Sequence, residues 1–475
     1  MCGIVGFIGK KEALPVLLEG LGRLEYRGYD SAGVALLDGS LTIHKSTGRL
    51  SNLEKKLQGQ STKGNRGIGH TRWATHGPPS ERNCHPHTGT NAKIAIVHNG
   101  IIENYLELKS ALLKEGHEFS SDTDTEVLAH VIEAERKKTK NLKEALLAAL
   151  NKARGAYALG VISEDEPDVI YAARQGSPLI IGIGPDGYYI ASDVPAIKEA
   201  QQVIYLKDGE IAELRPDGVS LYTLDGKEAA AAVQEITIQC EDADRAGFET
   251  FMLKEIHEQP RVLRQLINKH LNGTQQEFDP GFIQGVERIM IISCGTAYYA
   301  GMYGKMIVEA MTGIPCEIDL GSEFRYRNPL LNDKMLIIAV SQSGETADTL
   351  ASINLAKENG CKIMSLCNVA GSSLTRESDY VFYTDAGPEI GVASTKAYTA
   401  QLMSFAIIAL KMAQELGRID NIDQVVAELK AIPDDIHYVL SRSDIIREIA
   451  DKHHDGPSAL YLGRRYNYPT ALEGA

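Results

Sequence analysis

Met1-Cys2-Gly3-Ile4-Val5-Gly6-Phe7 opens the chain, and its reading decides how the first half folds. Residues 4–8 form a short apolar run bounded by glycine and lysine, the pattern of a buried strand. Cys2 stands directly after the initiator methionine, and its small side chain permits removal of Met1. The residue would then carry a thiol and a free α-amine together. Their reference pKa values are about 8.5 and about 8, so the amine can take up and return the thiol's proton near neutral pH. That is a self-contained nucleophile and base. A lone cysteine before a strand is more often an ordinary buried residue, so the surrounding parts decide between the two.

Outward from this strand, Leu14, Leu17, Leu18, Leu21 and Leu24 recur at helical spacing. Residues 28–35 return to a strand. Up to about residue 225, short strands alternate with turns such as Asp208-Gly209 and Asp217-Gly218. Helices are predicted over 125–135 and 142–153, and the basic run 136–140 between them reads as a solvated loop. Gly182-Ile183-Gly184-Pro185-Asp186-Gly187 matches a dinucleotide-binding fingerprint but is followed by strand-like Tyr188-Tyr189-Ile190, so a hairpin is predicted.

With 475 residues the chain exceeds one ordinary core, and two or three domains are expected. A net charge of −14 argues against nucleic acid or an anionic membrane as partner. The seven cysteines are scattered and odd in number, which fits reduced thiols and a cytoplasmic location. The start does not read as a signal peptide, and the apolar stretch 402–410 is too short to span a bilayer.

The pattern changes around 234–258, where Glu241-Asp242-Ala243-Asp244-Arg245 reads as a linker. Beyond it, strands over 289–293, 336–340 and 362–366 alternate with helices such as 347–359, which implies a parallel, doubly wound sheet. Leu460-Tyr461-Leu462-Gly463 reads as the first strand of another α/β unit and 469–475 as the start of its helix.

Several clusters carry chemistry. His98-Asn99-Gly100 follows the apolar strand Ile94-Ala95-Ile96-Val97, where an amide side chain and a glycine N–H can face one developing oxyanion. Asn-Gly is also the commonest hairpin turn. His70-Thr71-Arg72-Trp73-Ala74-Thr75-His76-Gly77 sets a carboxylate-binding guanidinium beside the only tryptophan. Asp122-Thr123-Asp124-Thr125-Glu126 opens a helix, where its carboxylates either cap that helix or hold an ammonium group. One anionic and one cationic clamp suit an α-amino acid. Ser341-Gln342-Ser343-Gly344-Glu345-Thr346 lies between a strand and a helix, where hydroxyls and backbone N–H groups suit a phosphate. Glu345 reads as a helix cap rather than a catalytic group. Cys84-His85-Pro86-His87 lacks a second ligand pair at zinc spacing, so a structural loop is expected and no metal. His453-His454 reads as surface.

These motifs, with Tyr26-Arg27-Gly28-Tyr29-Asp30-Ser31-Ala32-Gly33, occur together and in order. The set resembles the class II glutamine amidotransferase domain of the N-terminal-nucleophile fold, and within it the glutamine–fructose-6-phosphate aminotransferase (glucosamine-6-phosphate synthase) family. Cys294-Gly295-Thr296, the serine-rich loop and Gly391-Val392-Ala393-Ser394-Thr395-Lys396 resemble a sugar isomerase (SIS) domain. The resemblance implies an α/β chain with a four-layer αββα domain over 2–225, a linker over 226–255, an αβα SIS domain over 256–440 and the beginning of a second over 450–475.

For the chemistry, the resemblance implies that Cys2 attacks glutamine, with Asn99 and Gly100 as the oxyanion hole. Arg72, Trp73, Thr75, His76 and Asp124 would bind glutamine, Trp73 also gating ammonia. Cys294, Gly295, Thr296, Ser341, Gln342, Ser343, Thr346, Val392 and Ser394 would bind the sugar phosphate, and Glu473 would be the general base of the isomerisation. L-Glutamine and D-fructose 6-phosphate are the expected partners, without nucleic acid, membrane, metal or organic cofactor, and the full-length enzyme is expected to be a homodimer. The family's partner-subunit histidine and tail lysine would lie beyond Ala475, so a chain ending there is expected to retain glutaminase chemistry at most. Another class II amidotransferase, such as an amidophosphoribosyltransferase, and a sugar-phosphate-binding module are the alternatives.

Overall fold

The strand Gly3–Gly9 is buried at every residue, because it is central in a sheet that is covered on both faces. It pairs antiparallel with Arg66–Arg72 on one side and Gly187–Ala191 on the other. The computed structural model describes residues 2–25, 28–60, 62–74, 76–236, 245–272 and 280–475. Thr75, Tyr26, Arg27 and the linker residues 241–244 lie outside them. The chain divides into two compact units, 1–240 and 241–475.

In the first unit, the described residues form an eight-stranded and a seven-stranded sheet. Alternation along Gly3–Gly9 builds three layers of contact. Val5 and Phe7 join a cluster with Leu14, Leu17 and Leu21 of the helix Ala13–Leu24. Ile4 and Ile8 face the other way and join Ala95, Val97 and Ala158 of the second sheet. The second sheet's outer face holds Ile94, Ile96 and Leu159 against the helices Glu126–Arg136 and Leu142–Leu150. Helices outside and two sheets inside give the four-layer αββα arrangement. Each fully buried apolar side chain here contributes roughly 1.5–3 kcal/mol of transfer free energy.

Two local expectations shift. The strand predicted over 28–35 is Ser31–Asp38. The strand before His98 does not stop there but runs Ile94–Ile102. Asn99 faces Ala158 and Gly100 faces Tyr157 in the ladder with Gly155–Ser163, so Asn-Gly is not a hairpin turn. The dinucleotide-like stretch forms the antiparallel hairpin Ile180–Gly184/Gly187–Ala191.

In the second unit, five parallel strands lie in the order Cys316–Leu320, Arg288–Ser293, Met335–Ser341, Lys362–Cys367, Tyr380–Tyr383. Ile289, Ile291, Leu336 and Ile338 pack on one face against the helix Lys396–Glu415. Met290, Ile292, Ile337 and Ala339 pack on the other, with Ile353 of the helix Ala347–Glu358. The sheet is doubly wound. Its order reverses between Arg288–Ser293 and Met335–Ser341, where such folds open a crevice at the strands' C-terminal ends.

The stretch 226–255 is not a uniform connector. Glu228–Ala229 and Val233–Glu235 are edge strands, and a helix starts at Phe251, capped by Thr250 Oγ1 accepting from Leu253 N at 3.1 Å. The strand predicted at 460–463 is absent. Leu460 and Leu462 are each 89% exposed, and no described strand pairs with them, so their backbone has no ladder to join. The helix after them, Asn467–Gly474, packs on Thr296–Thr312 and starts before Pro469, which sits in its first turn where no N–H is needed.

Candidate active sites

The first site is built where the ends of three strands meet. The Cys2 thiol accepts a hydrogen bond from Trp73 N at 3.2 Å, and its Sγ lies 3.5 Å from Trp73 O. The ladder that pairs Gly3 with Thr71 brings the chain at Trp73 alongside Cys2. Asn99 Nδ2 donates to the Cys2 carbonyl at 3.0 Å, while Asn99 Oδ1 accepts from His70 Nε2 at 2.9 Å. Burial pushes the Cys2 thiol pKa up, so at neutral pH the sulfur is protonated until a base takes the proton. Gly100 carries a φ of +133°, and a Cβ there would lie 2.0 Å from Ala156 O. Only glycine lets the backbone pass.

Arg72 is buried. Its Nη2 donates to His76 O and, at 3.0 Å, to Gly77 O, which fold the loop back over the guanidinium. Its Nη1 is buried and has no hydrogen-bond partner among the described residues. A buried guanidinium N–H without a partner is costly, and a ligand carboxylate would satisfy it. Asp124 is buried beside the strand that carries Asn99, with Oδ2 accepting from Ile102 N at 2.8 Å. His76 stands edge-on to Tyr105 at 5.7 Å, and Trp73, 43% exposed, stands edge-on to Tyr29 at 5.4 Å. Cys2, Arg72, Trp73, His76 and Asn99 are therefore joined through one network of bonds and short chain, and Asp124 is attached three residues beyond Asn99.

The second site lies at the reversal of the parallel sheet. Ser341 ends its strand, and its Oγ accepts from Gly344 N at 2.9 Å and lies 3.1 Å from Thr346 Oγ1. Ser343 Oγ accepts from Glu345 N at 3.2 Å. Gly344 has a φ of +68°, and a Cβ there would lie 2.0 Å from Ser372 Oγ. Gln342 O accepts from Asn368 N at 3.3 Å. The loop is thus wound tightly before the helix Ala347–Glu358, with Ser341 buried as its brace and Ser343 and Thr346 nearer the surface. Glu345 caps a helix, but a different one: Oε1 accepts from Ser373 N at 2.8 Å, the start of Ser373–Glu377.

Across the reversal, Cys294 Sγ lies 4.0 Å from Thr349 Oγ1, and Gly295 turns with φ +58° into the helix that Thr296 begins. Thr296 Oγ1 donates to Glu473 Oε1 at 2.7 Å. The loop carrying Val392 and Ser394 is anchored elsewhere. Glu255 accepts from Ile390 N and Gly391 N, Ser394 Oγ donates to Glu389, and Lys396 makes a buried ion pair with Glu258 at 2.7 Å. No bond among the described residues joins this loop to the serine-rich one. Val392 is 73% exposed.

The comparisons follow this division. A family model described as glutamine amidotransferase domain matches residues 70–199, and one described as SIS domain matches 282–411. The glutamine–fructose-6-phosphate aminotransferase (isomerizing) of Clostridium tetani is 47% identical over 485 aligned residues, covering 100% of this chain and 79% of its own. That of Caldanaerobacter subterraneus is 46% identical, with the same coverage. The chain belongs to the glutamine–fructose-6-phosphate aminotransferase (isomerizing) family. Among solved structures, the C-terminal domain of glucosamine-fructose-6-phosphate aminotransferase from Francisella tularensis aligns at 39% identity over 49% of this chain and 67% of its own, with a TM-score of 0.47. No described helix is long and apolar enough to cross a membrane.

Reading the sequence missed several parts of this aminotransferase-family site. Asp30 takes Ala74 N and the Ser31 hydroxyl and so ties down the segment after Arg72. It lies inside a quoted motif, yet no role was apparent without the loop that it holds. His70 and His85 stack at 4.0 Å beneath Asn99, and burial drives the His70 pKa down to about 3. A neutral His70 must donate to Asn99 Oδ1, which fixes the amide so that Nδ2 points at Cys2. Glu389, which accepts from Thr395 N and Ala397 N at the head of Lys396–Glu415, carried no signal at all.

Proposed function

We infer that this protein transfers the amide nitrogen of L-glutamine to D-fructose 6-phosphate, giving L-glutamate and D-glucosamine 6-phosphate, the opening step of hexosamine and UDP-N-acetylglucosamine synthesis. The observation that carries the residue assignment is the arrangement around Cys2: Trp73 N on the sulfur, Asn99 Nδ2 on the carbonyl, and a buried Arg72 Nη1 still unpartnered nearby.

In this reading the α-amine of Cys2, exposed once Met1 is removed, takes the thiol proton. The sulfur attacks the glutamine Cδ. Asn99, through the second Nδ2–H of the amide that His70 orients, and Gly100 N–H hold the oxyanion. The amine then returns the proton to the leaving ammonia, and water hydrolyses the γ-glutamyl thioester. Arg72 Nη1 pairs with the glutamine α-carboxylate and Asp124 with its ammonium, while Thr75 and His76 close the pocket. Trp73 gates the ammonia.

At the second site, Ser341, Gln342, Ser343 and Thr346 hold the phosphate, with Cys294, Gly295, Thr296, Val392 and Ser394 around the sugar. Ammonia condenses with the C2 ketone and water leaves. Glu473 then removes the C1 proton and delivers it to C2 while the O1 hydroxyl proton passes to the imine nitrogen, which leaves an aldehyde at C1 and an amine at C2. We assign glutaminase chemistry to 2–225 and the sugar site to 256–440 with 450–475, and a cytoplasmic homodimer as the working form of the full-length enzyme.

The test is a pair of assays on the purified full-length protein, glutamate release and glucosamine 6-phosphate formation, with intact mass measured alongside. Met1 is expected to be absent, and a glutamine-like electrophile is expected to add once, at Cys2. Active protein that retains Met1 would overturn the proposed base.

A further inference from the structure

Away from both sites, the first unit holds a buried group with no part in the chemistry above. His117 Nδ1 and His130 Nδ1 face each other at 3.1 Å, with the rings perpendicular at 89°. Glu133 Oε2 lies 4.0 Å from His130 Nδ1, and Thr90 Oγ1 lies 3.4 Å from both imidazole nitrogens. The ligand-capable atoms of His117, His130 and Glu133 all fall within 4.8 Å of one another, and the three side chains are 6%, 1% and 4% exposed.

Two imidazoles and a carboxylate converging on one point are the donor set of zinc-class ions. With metal–nitrogen bonds of 2.0–2.1 Å, tetrahedral geometry sets ligand atoms about 3.3 Å apart. The 3.1 Å between the two imidazole nitrogens is close to that spacing, and Glu133 Oε2, at 4.0 Å from His130 Nδ1, needs to move in by well under 1 Å. Behind the group, Glu126 Oε1 lies 3.7 Å from His130 Nε2, so the ring's far nitrogen faces a carboxylate, as metal-bound histidines commonly do. Glu126 is itself fixed by hydrogen bonds from Ser120 and Ser121 at 2.7 Å. Glu133 is held by Thr90 N and Asn91 N, and a Cβ at Gly89 would collide with its Oε2 at 2.1 Å. The carboxylate has thus been given room and orientation. Two neutral imidazoles, two carboxylates and a divalent cation sum to zero charge.

We propose that His117, His130 and Glu133 hold a divalent transition-metal ion of the zinc class. Such an ion would tie the turn at 89–91 and the loop at His117 to the helix Glu126–Arg136, which begins two residues after Asp124. It is a structural fastening and takes no step in the reaction. The route in is short, because Gly116 and Glu118 on either side of His117 are exposed.

The test uses the whole chain, stripped with a chelator, reloaded with zinc or cobalt(II) and freed of unbound metal. About one zinc per chain is expected to remain, both in the unaltered protein and in Cys2→Ser, and the cobalt form should show the intense visible band of four-coordinate cobalt. His117→Asn, at the edge of the group, should bind at least about 100-fold more weakly and lose the rise in Tm that zinc gives the unaltered protein. Failure of the unaltered chain to retain zinc would overturn the proposal. So would retention undiminished in both His117→Asn and Glu133→Gln.

Discussion

Thr296 Oγ1 donates to Glu473 Oε1 at 2.7 Å, joining residues 177 apart in sequence. The contact brings the carboxylate assigned to sugar isomerisation against the first residue of the helix Thr296–Thr312, beside the crevice where the parallel sheet reverses. Glu473→Gln is expected to lower glucosamine 6-phosphate formation by about 10²-fold or more, the usual share of a general base. Glutamate release should be unchanged. Thr296→Ala should cost about 10–100-fold in the same step, the worth of one hydrogen bond to a charged group. Parallel measurements of the two products on each variant decide it, and equal loss of both would count against the assignment.

Asn99 offers a sharper case. Its Oδ1 is fixed by His70 and its Nδ2 reaches Cys2, so the amide is oriented before substrate arrives. Asn99→Ala should reduce kcat for glutamine hydrolysis by about 10²–10³-fold with little change in KM, as loss of one oxyanion donor does. Steady-state kinetics on glutamine will show it, and a pure KM effect would move Asn99 from the oxyanion to substrate binding.

Arg72 should show the opposite split. In the proposed reading its Nη1, unpartnered among the described residues, takes the substrate carboxylate, and a lysine ammonium cannot reproduce the planar guanidinium there. Arg72→Lys is expected to raise KM for glutamine about 10–100-fold while kcat falls far less, read from the same assay.

Stability should depend on pH through the buried histidines. Burial holds the His70 pKa down to about 3, against about 6.5 unfolded. Between these values the unfolded chain binds a proton that the folded one refuses, so stability is full above about pH 6.5 and is lost as pH falls toward 3. Burial lowers His85 and His98 as well, so their contributions have the same sign. Urea midpoints of the chain should be level from about pH 8 to 7 and fall steadily below about 6.5. A level profile through about pH 5 would contradict this.

Gly344 lies in the loop proposed to hold the sugar phosphate. With φ +68° and Ser372 Oγ within 2.0 Å of a prospective Cβ, Gly344→Ala should destabilise the second unit by more than about 1 kcal/mol. Fructose 6-phosphate affinity should fall while glutaminase kinetics remain. Calorimetry of the fructose 6-phosphate titration provides the readout.

Much of this was legible in the sequence because it rests on local pattern. The buried strand at residues 4–8, the alternating strands and helices after 289 and the false dinucleotide fingerprint all follow from periodicity and turn chemistry. What escaped was set by partners remote in sequence. Asn99-Gly100 was compatible with a hairpin turn as well as an oxyanion site, and only pairing with Gly155–Ser163 keeps it extended. Leu460-Tyr461-Leu462 had strand composition, but no neighbour supplies a ladder. His117 was never singled out, because only folding brings it to His130 and Glu133. The unpartnered Nη1 of Arg72 likewise needs coordinates to be seen.

The position of Gly3–Gly9 sets an order of assembly. This strand precedes the rest of its sheet in sequence, yet one of its two neighbours is Gly187–Ala191, some 180 residues later. Until that hairpin emerges, the segment behind the nucleophile has one edge open and cannot complete its sheet. Non-local pairing of this kind is slow to form. Closing the sheet around Cys2 therefore waits on contacts that span most of the first unit's sequence.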